Sequence, residues 1–488
     1  MKARGKVNAP DMLITNAWVA TVDPERQQFR RGFVAITGDQ ITGCGPMSDC
    51  PHDRAGEILD AAGKAVFPGF INAHTHAIYN LLRGGLSDDR ALYDWLLNVT
   101  HPGLKAITPE DARTAASLYC LEALRSGITT FVDNADSGRF FDVAEATLST
   151  YQKFGVRVAY ARMFADTIPT EVRAYAQAVM AKEPGVNHYL DSLEETGRAI
   201  QSIEELMRRH HGRGEGRIQV WPAPGVAIFT TIEGLMAAKE LARRWGTMLT
   251  IHVAESPFDR LQAGIPSIQY LATIGFLGPG VLASHCVQID ANDIAVLKAH
   301  DVKVVYNPVS NMFLGSGIAP IAEMQRAGIT VAIGTDDPNS NSSVNMISDL
   351  KFAVLAQKAK YQHASAMTAE KAMEMVTIDG ARAIGMEAQI GSIEVGKKAD
   401  LVIVDLRRPH TVPLFSVASV LIYQASGEEV DSVIVDGRLL MRDRTLTLLD
   451  PEEERELVAS AQKASEEIVD RAGLQRMRDR GWRSEVGI

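Results

Sequence analysis

The chain has 488 residues, 46% hydrophobic and 23% charged, enough for one large domain and a smaller one around a sizeable core. Its formal charge of -10 argues against nucleic acid as a partner, because phosphate recognition needs basic patches, and points to a small-molecule substrate. No apolar run approaches the ~18 residues of a membrane helix, MKARGKVNAPDML has no apolar stretch after its basic residues, and Cys44, Cys50, Cys120 and Cys286 lack zinc-finger spacing, so a cytoplasmic protein with reduced thiols is expected.

Residues 1–65 read as short strands and tight turns: MLITNAWVATV and GFVAITGDQITGCGP alternate apolar and polar residues, with a turn at Gly38–Asp39. From 66 to 395 the texture changes. The short apolar strands AVFPGFINAH, ITTFVDN, RVAYARM, IQVWPAP, MLTIHVA, VLASHC, VKVVYN and TVAIGTD alternate with amphipathic helices such as 109–127 and 231–246. Eight such units fit a (β/α)8 TIM barrel better than a doubly wound sheet, since no glycine-rich phosphate loop follows the first strand. Strand texture returns in ADLVIVDL and VDSVIVDGRLLM, where Asp436–Gly437 suits a hairpin. The expected architecture is α/β. A catalytic barrel spans 66–395, flanked by a β-sandwich built from both termini, 1–65 and 396–488. The sandwich portion ends in an amphipathic helix beginning near Asp450, expected to serve packing or oligomer contact.

Barrel enzymes carry their chemistry at the C-terminal ends of the strands. Four of the 12 histidines fall at three such ends: NAHTH supplies His74 and His76, IHVAE supplies His252 with Glu255, and SHC supplies His285, while GTDD adds Asp336 and Asp337. Residues two apart on a strand face the same side, so His74 and His76 can share an ion. With His252 and Asp336 they make a nitrogen-rich set for one divalent metal ion per chain, Zn2+ or Fe2+, with a position left for water. A second ion is not expected, because the fourth strand ends VWPAPGVAIF, without a Lys, Cys or acid to bridge two metals. A lone HxH is as readily a surface or hydrogen-bonded core pair; the coincidence with the other strand ends tells against that. Glu255 is placed to move a proton between water and a substrate nitrogen, and His285 to act as a further ligand or a hydrogen-bonding electrophile. Taken singly, Glu255 is an ordinary loop glutamate and His285 a structural neighbour of Cys286.

The segments PGFINAHTH, HVAES, SHC, GTDD and GSIEVGKKADLVIVDL resemble the signature segments of the amidohydrolase superfamily. LLRGG, YDWLLNV, AYARMF, WPAP, LGSGIAP and SVNMISDLKF extend the resemblance to its triazine hydrolase branch over nearly the full length. The resemblance implies a metal held by His74, His76, His252 and Asp336, with Glu255 and His285 as catalytic partners, and a homo-oligomer. It also implies hydrolytic attack on a ring carbon with expulsion of an exocyclic substituent.

Chloride leaves without a proton, whereas an amino group needs one delivered. The atrazine-dechlorinating relatives of this branch carry Asn where Asp337 stands, and the melamine-deaminating ones carry Asp. Asp337 is therefore expected to be catalytic, and it could equally cap the following turn. Leu92 and Asp133 match the deaminating pattern, Ser340 and Gly264 the dechlorinating one, Val226 and Ile228 neither, and Pro338 stiffens the turn as neither relative does. Leu92, Asp133, Asn134, Asn311 and Ser340 are the expected substrate-binding positions. The expectation is an aminohydrolase that releases ammonia from an s-triazine of the melamine or ammeline type. The alternatives are a chlorotriazine dehalogenase, an aminopyrimidine or purine deaminase, and a non-catalytic scaffold, against which the full ligand set stands.

Overall fold

The computed structural model describes residues 9–51, 54–86, 88–136, 140–188, 193–482 and 484. Residues 1–8, which carry most of the segment examined for a leader, lie outside them. Seven of the eight apolar runs each form one barrel strand, and the first supplies a barrel strand from its second half only. Strands β1 (Phe70–Thr75), β2 (Ile128–Ala135), β3 (Arg157–Phe164) and β4 (Ile218–Pro224) make one parallel sheet in that order. Strands β5 (Leu249–Val253), β6 (Val281–His285), β7 (Lys303–Tyr306) and β8 (Val331–Ile333) make a second. Parallel bridges Thr75↔Asp336 and Val226↔His252 join the two sheets at both seams and close the ring. One hydrogen bond marks each seam: Asp336 N donates to His74 O (3.0 Å) and His252 N to Gly225 O (3.1 Å).

Strand alternation sorts side chains between two layers. Ile71, Val132, Ala161, Trp221, Leu282 and Val305 fill the barrel interior, while Phe131 faces outward onto Tyr119 of α1 (Pro109–Arg125) and Tyr151 of α2 (Phe141–Phe154). The outer helices carry their own boundary signals. Thr108 and Asp111 form a capping box at the start of α1, Glu195 caps α3 (Thr196–His210), and α4 (Ile232–Trp245) runs from a Thr231 cap to left-handed Gly246. A single turn, α5 (Pro338–Asn341), follows β8 closely.

The two β-rich ends build one nine-stranded sheet in which Lys64–Pro68 pairs with Leu401–Asp405 from the far end of the chain. Ile14, Val34, Leu401 and Ile434 share one core, as the layers of a sandwich do. The run expected as one strand, AVFPGFINAH, is two: Lys64–Pro68 belongs to the sandwich and β1 to the barrel. The chain crosses between them at Gly69, where a Cβ would strike the Thr129 side chain. The expected boundary at 65/66 therefore falls inside a sandwich strand. At the other end, α6 (Pro451–Ala472) leaves the sandwich and packs on the barrel. Ala461, Ala464 and Ile468 share a core with Ile78, Trp95 and Leu104, and Ser465 Oγ donates to Leu81 O (2.8 Å). Among the described residues, no helix is long and apolar enough to cross a membrane.

Candidate active site

The site begins with a glycine. At Gly334 a Cβ would lie 2.7 Å from His74 Cβ and collide with Asn307 Oδ1, so only glycine lets the end of β8 pass this close to β1 and β7. Asn72 then grips Thr335 twice, accepting from its N–H (3.0 Å) and donating to its Oγ1 (2.7 Å). Asp336 follows with a left-handed backbone (φ 60°), and Thr75 Oγ1 donates to its carbonyl (2.8 Å). His285, at the end of β6, is also left-handed (φ 73°). Such strained non-glycine positions persist only where surrounding contacts enforce them.

These elements bring the strand-end residues into one buried cluster. His74 Nε2 lies 3.3 Å and His76 Nε2 3.7 Å from Asp336 Oδ1, and His76 Nε2 lies 3.2 Å from His252 Nε2. His285 stands beside them, its Nδ1 3.9 Å from Asp336 Oδ2 and its Nε2 3.6 Å from Glu255 Oε2. Ligand atoms of His74, His76 and His252 lie within 4.8 Å of one another, as do those of His74, His285 and Asp336.

Each imidazole is held from behind. His252 Nδ1 donates to Gly225 O (2.7 Å), which leaves the Nε2 lone pair facing inward. His74 Nδ1 meets Ser284 Oγ (2.9 Å) and the Asn134 amide (2.8 Å). His76 stacks on Tyr79 (5.2 Å between centroids), whose hydroxyl donates to Asp136, and Asp136 lies 3.8 Å from His76 Nδ1. His285 Nδ1 sits 3.0 Å from the amide nitrogen of Asn311 and 3.1 Å from that of Asn307.

Burial pushes the pKa of His74 down, that of His252 well below the usual histidine range, and that of His285 down to about 3, with neighbouring imidazoles adding to the effect. At Asp336 burial acts upward, but the close approach of His74 Nε2 (3.3 Å) and the surrounding imidazoles outweigh it and hold the carboxyl well below its usual range. Neutral imidazoles around an ionised carboxylate are the protonation states a divalent ion requires. His74 Nε2 is moreover buried and meets no hydrogen-bond partner among the described residues. The residues fit such an ion.

Glu255 is pushed well up by burial and by Asp336, Asp259 and Asp337, and Asp337 is pushed up to about 7 by burial and by Asp336. Asp337 also caps α5: its side chain accepts from Asn339 N (3.1 Å) and Ser340 N (2.6 Å), with Pro338 in the first turn. Asp337 thus caps the turn, as one of its two readings expects, and also borders the cavity.

The cluster forms one end of a cavity whose remaining wall is largely apolar, including Leu92, Trp95, Leu104, Phe164, Val226 and Phe229. Tyr93 and Tyr175 line it as well, and each packs at a tilt on Phe258, with centroids 4.6 and 5.4 Å away. Of the five expected substrate-binding positions, Leu92 lies on this wall. The other four lie behind it. Asn134 and Asn311 hold histidines, and Ser340 bonds Asp337 and Ser310. Asp133 shares the outward face of β2 with Phe131, and both its oxygens are taken, by Ala77 N (3.0 Å) and the Tyr151 hydroxyl (2.7 Å). Val226 reaches the cavity, Ile228 is buried away from it, and Gly264 sits in a small hairpin between Leu261–Gln262 and Ile265–Pro266. Sequence reasoning missed Tyr79, Asp136 and Glu194. Tyr79, three residues beyond His76, carried a readable signal; the two loop acids carried none.

Imidazoles and carboxylates converging at the C-terminal edge of a parallel barrel define a hydrolytic enzyme of the (β/α)8 class. The chain belongs to the amidohydrolase family, whose family model matches residues 65–440. It is similar to an S-triazine hydrolase of Gordonia rubripertincta, at 42% identity over 476 residues, covering 94% of this chain and 97% of that protein. A 5'-deoxyadenosine deaminase of Methanosarcina mazei is 35% identical over 465 residues, covering 94% and 99%. A crystal structure of an adenosine deaminase from Xanthomonas campestris with bound zinc matches with a TM-score of 0.84 at 28% identity, covering 95% of this chain and 99% of that one.

Proposed function

We propose that the chain is an aminohydrolase that replaces an exocyclic amino group of a nitrogen heterocycle, foremost an aminated s-triazine, by hydroxyl, with release of ammonia. The observation that carries this reading is the surplus of carboxyl groups at the metal end of the cavity. Asp336 belongs to the ligand cluster, which leaves Glu255 and Asp337 on the cavity wall to handle protons. The names of the relatives, an S-triazine hydrolase and nucleoside deaminases, support the same reaction type.

His74, His76, His252 and Asp336 would hold one divalent ion, zinc or iron, which supplies Lewis-acid activation of water. Asp336 accepts the proton that water gives up on attacking the ring carbon. Glu255 carries a proton to the adjacent ring nitrogen, making that carbon electrophilic. His285, with Nδ1 facing the Asn311 and Asn307 amides, directs its Nε2 toward the attacking oxygen and Glu255. Asp337 delivers the proton with which the amine departs as ammonia. As the carbon collapses the ring nitrogen returns its proton to Glu255, and the proton taken by Asp336 replaces the one Asp337 gave, so the balance is one amine and one water in, one hydroxy-heterocycle and one ammonia out.

The test is a side-by-side assay of melamine, a chlorotriazine and 5'-deoxyadenosine for ammonia and chloride. Ammonia from the triazine is expected. Fast chloride release without ammonia overturns the reading in favour of a dehalogenase, and ammonia from the nucleoside alone moves the substrate to the purines.

A further inference from the structure

Several acids outside the ligand cluster face the cavity, and two of them are engaged: Asp136 by the Tyr79 hydroxyl, and Asp259 by the N–H groups of Glu255 (2.8 Å) and Ser256 (2.6 Å). Glu194 differs. It lies on the cavity wall just before α3, tied to the end of β3 by a hydrogen bond from its N–H to Ala165 O (2.8 Å). Its Oε1 accepts from Arg162 Nη2 at 2.6 Å. Its Oε2 is buried and meets no hydrogen-bond partner among the described residues.

Arg162 is fully buried, and its other contacts are Met163 O (3.3 Å) and Ser202 Oγ (3.4 Å). An arginine that served only to stabilise a carboxylate would engage both oxygens through its planar fork. Here the guanidinium takes one oxygen, and its Nε meets no acceptor among the described residues. The positive charge lets the carboxylate remain in an apolar wall, while the second oxygen keeps its lone pairs free. An unmet acceptor in such surroundings carries a desolvation cost that is recovered when a donor arrives. A site of this kind discriminates strongly against ligands that lack the donor. The nearby wall is apolar, with Phe164 on the preceding strand and Leu193 next in sequence.

We infer that Glu194, held by Arg162, is the recognition element of a subsite for an apolar arm of the substrate ring ending in an O–H or N–H donor. The ring itself rests on the function proposed above; the arm and its donor rest on the cavity wall.

The two are separated by measuring binding with unreactive analogues. Zinc-loaded full-length protein is titrated calorimetrically with hydroxy-s-triazines carrying either a propylamino or a 3-hydroxypropylamino arm. The wild type is expected to bind the hydroxyl-ended arm at least tenfold more tightly. In Glu194→Gln the amide oxygen must stay with Arg162, so the open position becomes an N–H, and the affinity ratio falls to about one or below. Circular dichroism of the variant checks that the wall is intact. A wild-type ratio near one, a ratio unchanged in Glu194→Gln, or no binding of either analogue overturns the subsite. If the ratio behaves as expected but no amino-heterocycle yields ammonia, the deaminase reading fails and the subsite stands.

Discussion

Ser340 closes on Asp337 from two directions, its N–H donating to Oδ1 at 2.6 Å and its hydroxyl to Oδ2 at 2.7 Å. An asparagine at 337 can keep this arrangement: its oxygen accepts the same amides, and its NH2 donates to a Ser340 hydroxyl that turns toward Ser310 Oγ, 2.8 Å away. Asp337→Asn should therefore leave the unfolding midpoint nearly unchanged, whereas Asp337→Ala loses the cap and about 0.5–2 kcal/mol. Ammonia release by Asp337→Asn is expected to fall at least tenfold, and by more than any chloride release. Equal loss of both would reduce Asp337 to its capping role.

Elemental analysis should find about one zinc or iron per chain. Because the ion binds the folded cluster, a chelator should lower the thermal midpoint and abolish ammonia release together, with both restored on adding the ion back. Asp336→Asn removes the carboxylate nearest His74 and His76 and should cut metal content to well below one. Full occupancy in that variant would show that the ion sits elsewhere.

Gly334→Ala is the smallest change expected to disable the site. The added methyl must displace Asn307 or the His74 backbone, and both act on the cluster. Metal affinity and ammonia release should drop at least tenfold, while secondary structure by circular dichroism stays native. A fully active Gly334→Ala would mean that the β8–β1 contact is looser than described.

The barrel and sandwich are joined through buried charge. Arg157, at the start of β3, donates to both Asp400 oxygens (2.8 and 3.1 Å) and to Asp436 (3.2 Å), while Arg217 reaches the other Asp436 oxygen (2.8 Å). Arg157→Met leaves these carboxylates short of a partner and should cost about 3–5 kcal/mol in urea at pH 7. Burial acts to raise the Asp436 pKa, but Arg157, Arg217 and Lys398 outweigh it and hold the carboxyl below its usual value. Its contribution is therefore complete above about pH 4, the ordinary aspartate range, and lost as the pH falls through the lower folded value. The gap between wild type and variant should narrow over that acid window. A gap independent of pH would mean that the loss is one of packing alone.

Residue types that are scarce and chemically committed were readable in the sequence. Histidines at His74, His76, His252 and His285 announced the cluster because strand ends in a barrel converge. Asp436–Gly437 announced a hairpin because both residues need a left-handed backbone, and they have it (φ 54° and 74°). Asp133 was misplaced although strand parity held the answer: with Val132 inside, Asp133 must face out with Phe131. Other features left no periodic trace. The crossing at Gly69 is hidden because Val66, Phe67, Phe70 and Ile71 are buried on both sides of it, and a continuous apolar run has no visible seam. Asp136 and Glu194 are isolated loop acids whose importance comes from what folds around them.

The ring has two joints, and residues proposed to hold the ion stand at both. Asp336 bridges to Thr75 at one, and His252 bridges to Val226 at the other, across the barrel. One half-barrel supplies His74 and His76, and the other His252 and Asp336. An ion held there would act as a clasp between halves that otherwise meet through sparse backbone pairing. The amides of His252 and Asp336, at the two seams, are expected to slow their hydrogen exchange in concert when the ion binds. On the proposed function, arming the catalyst and fastening the barrel would be the same event.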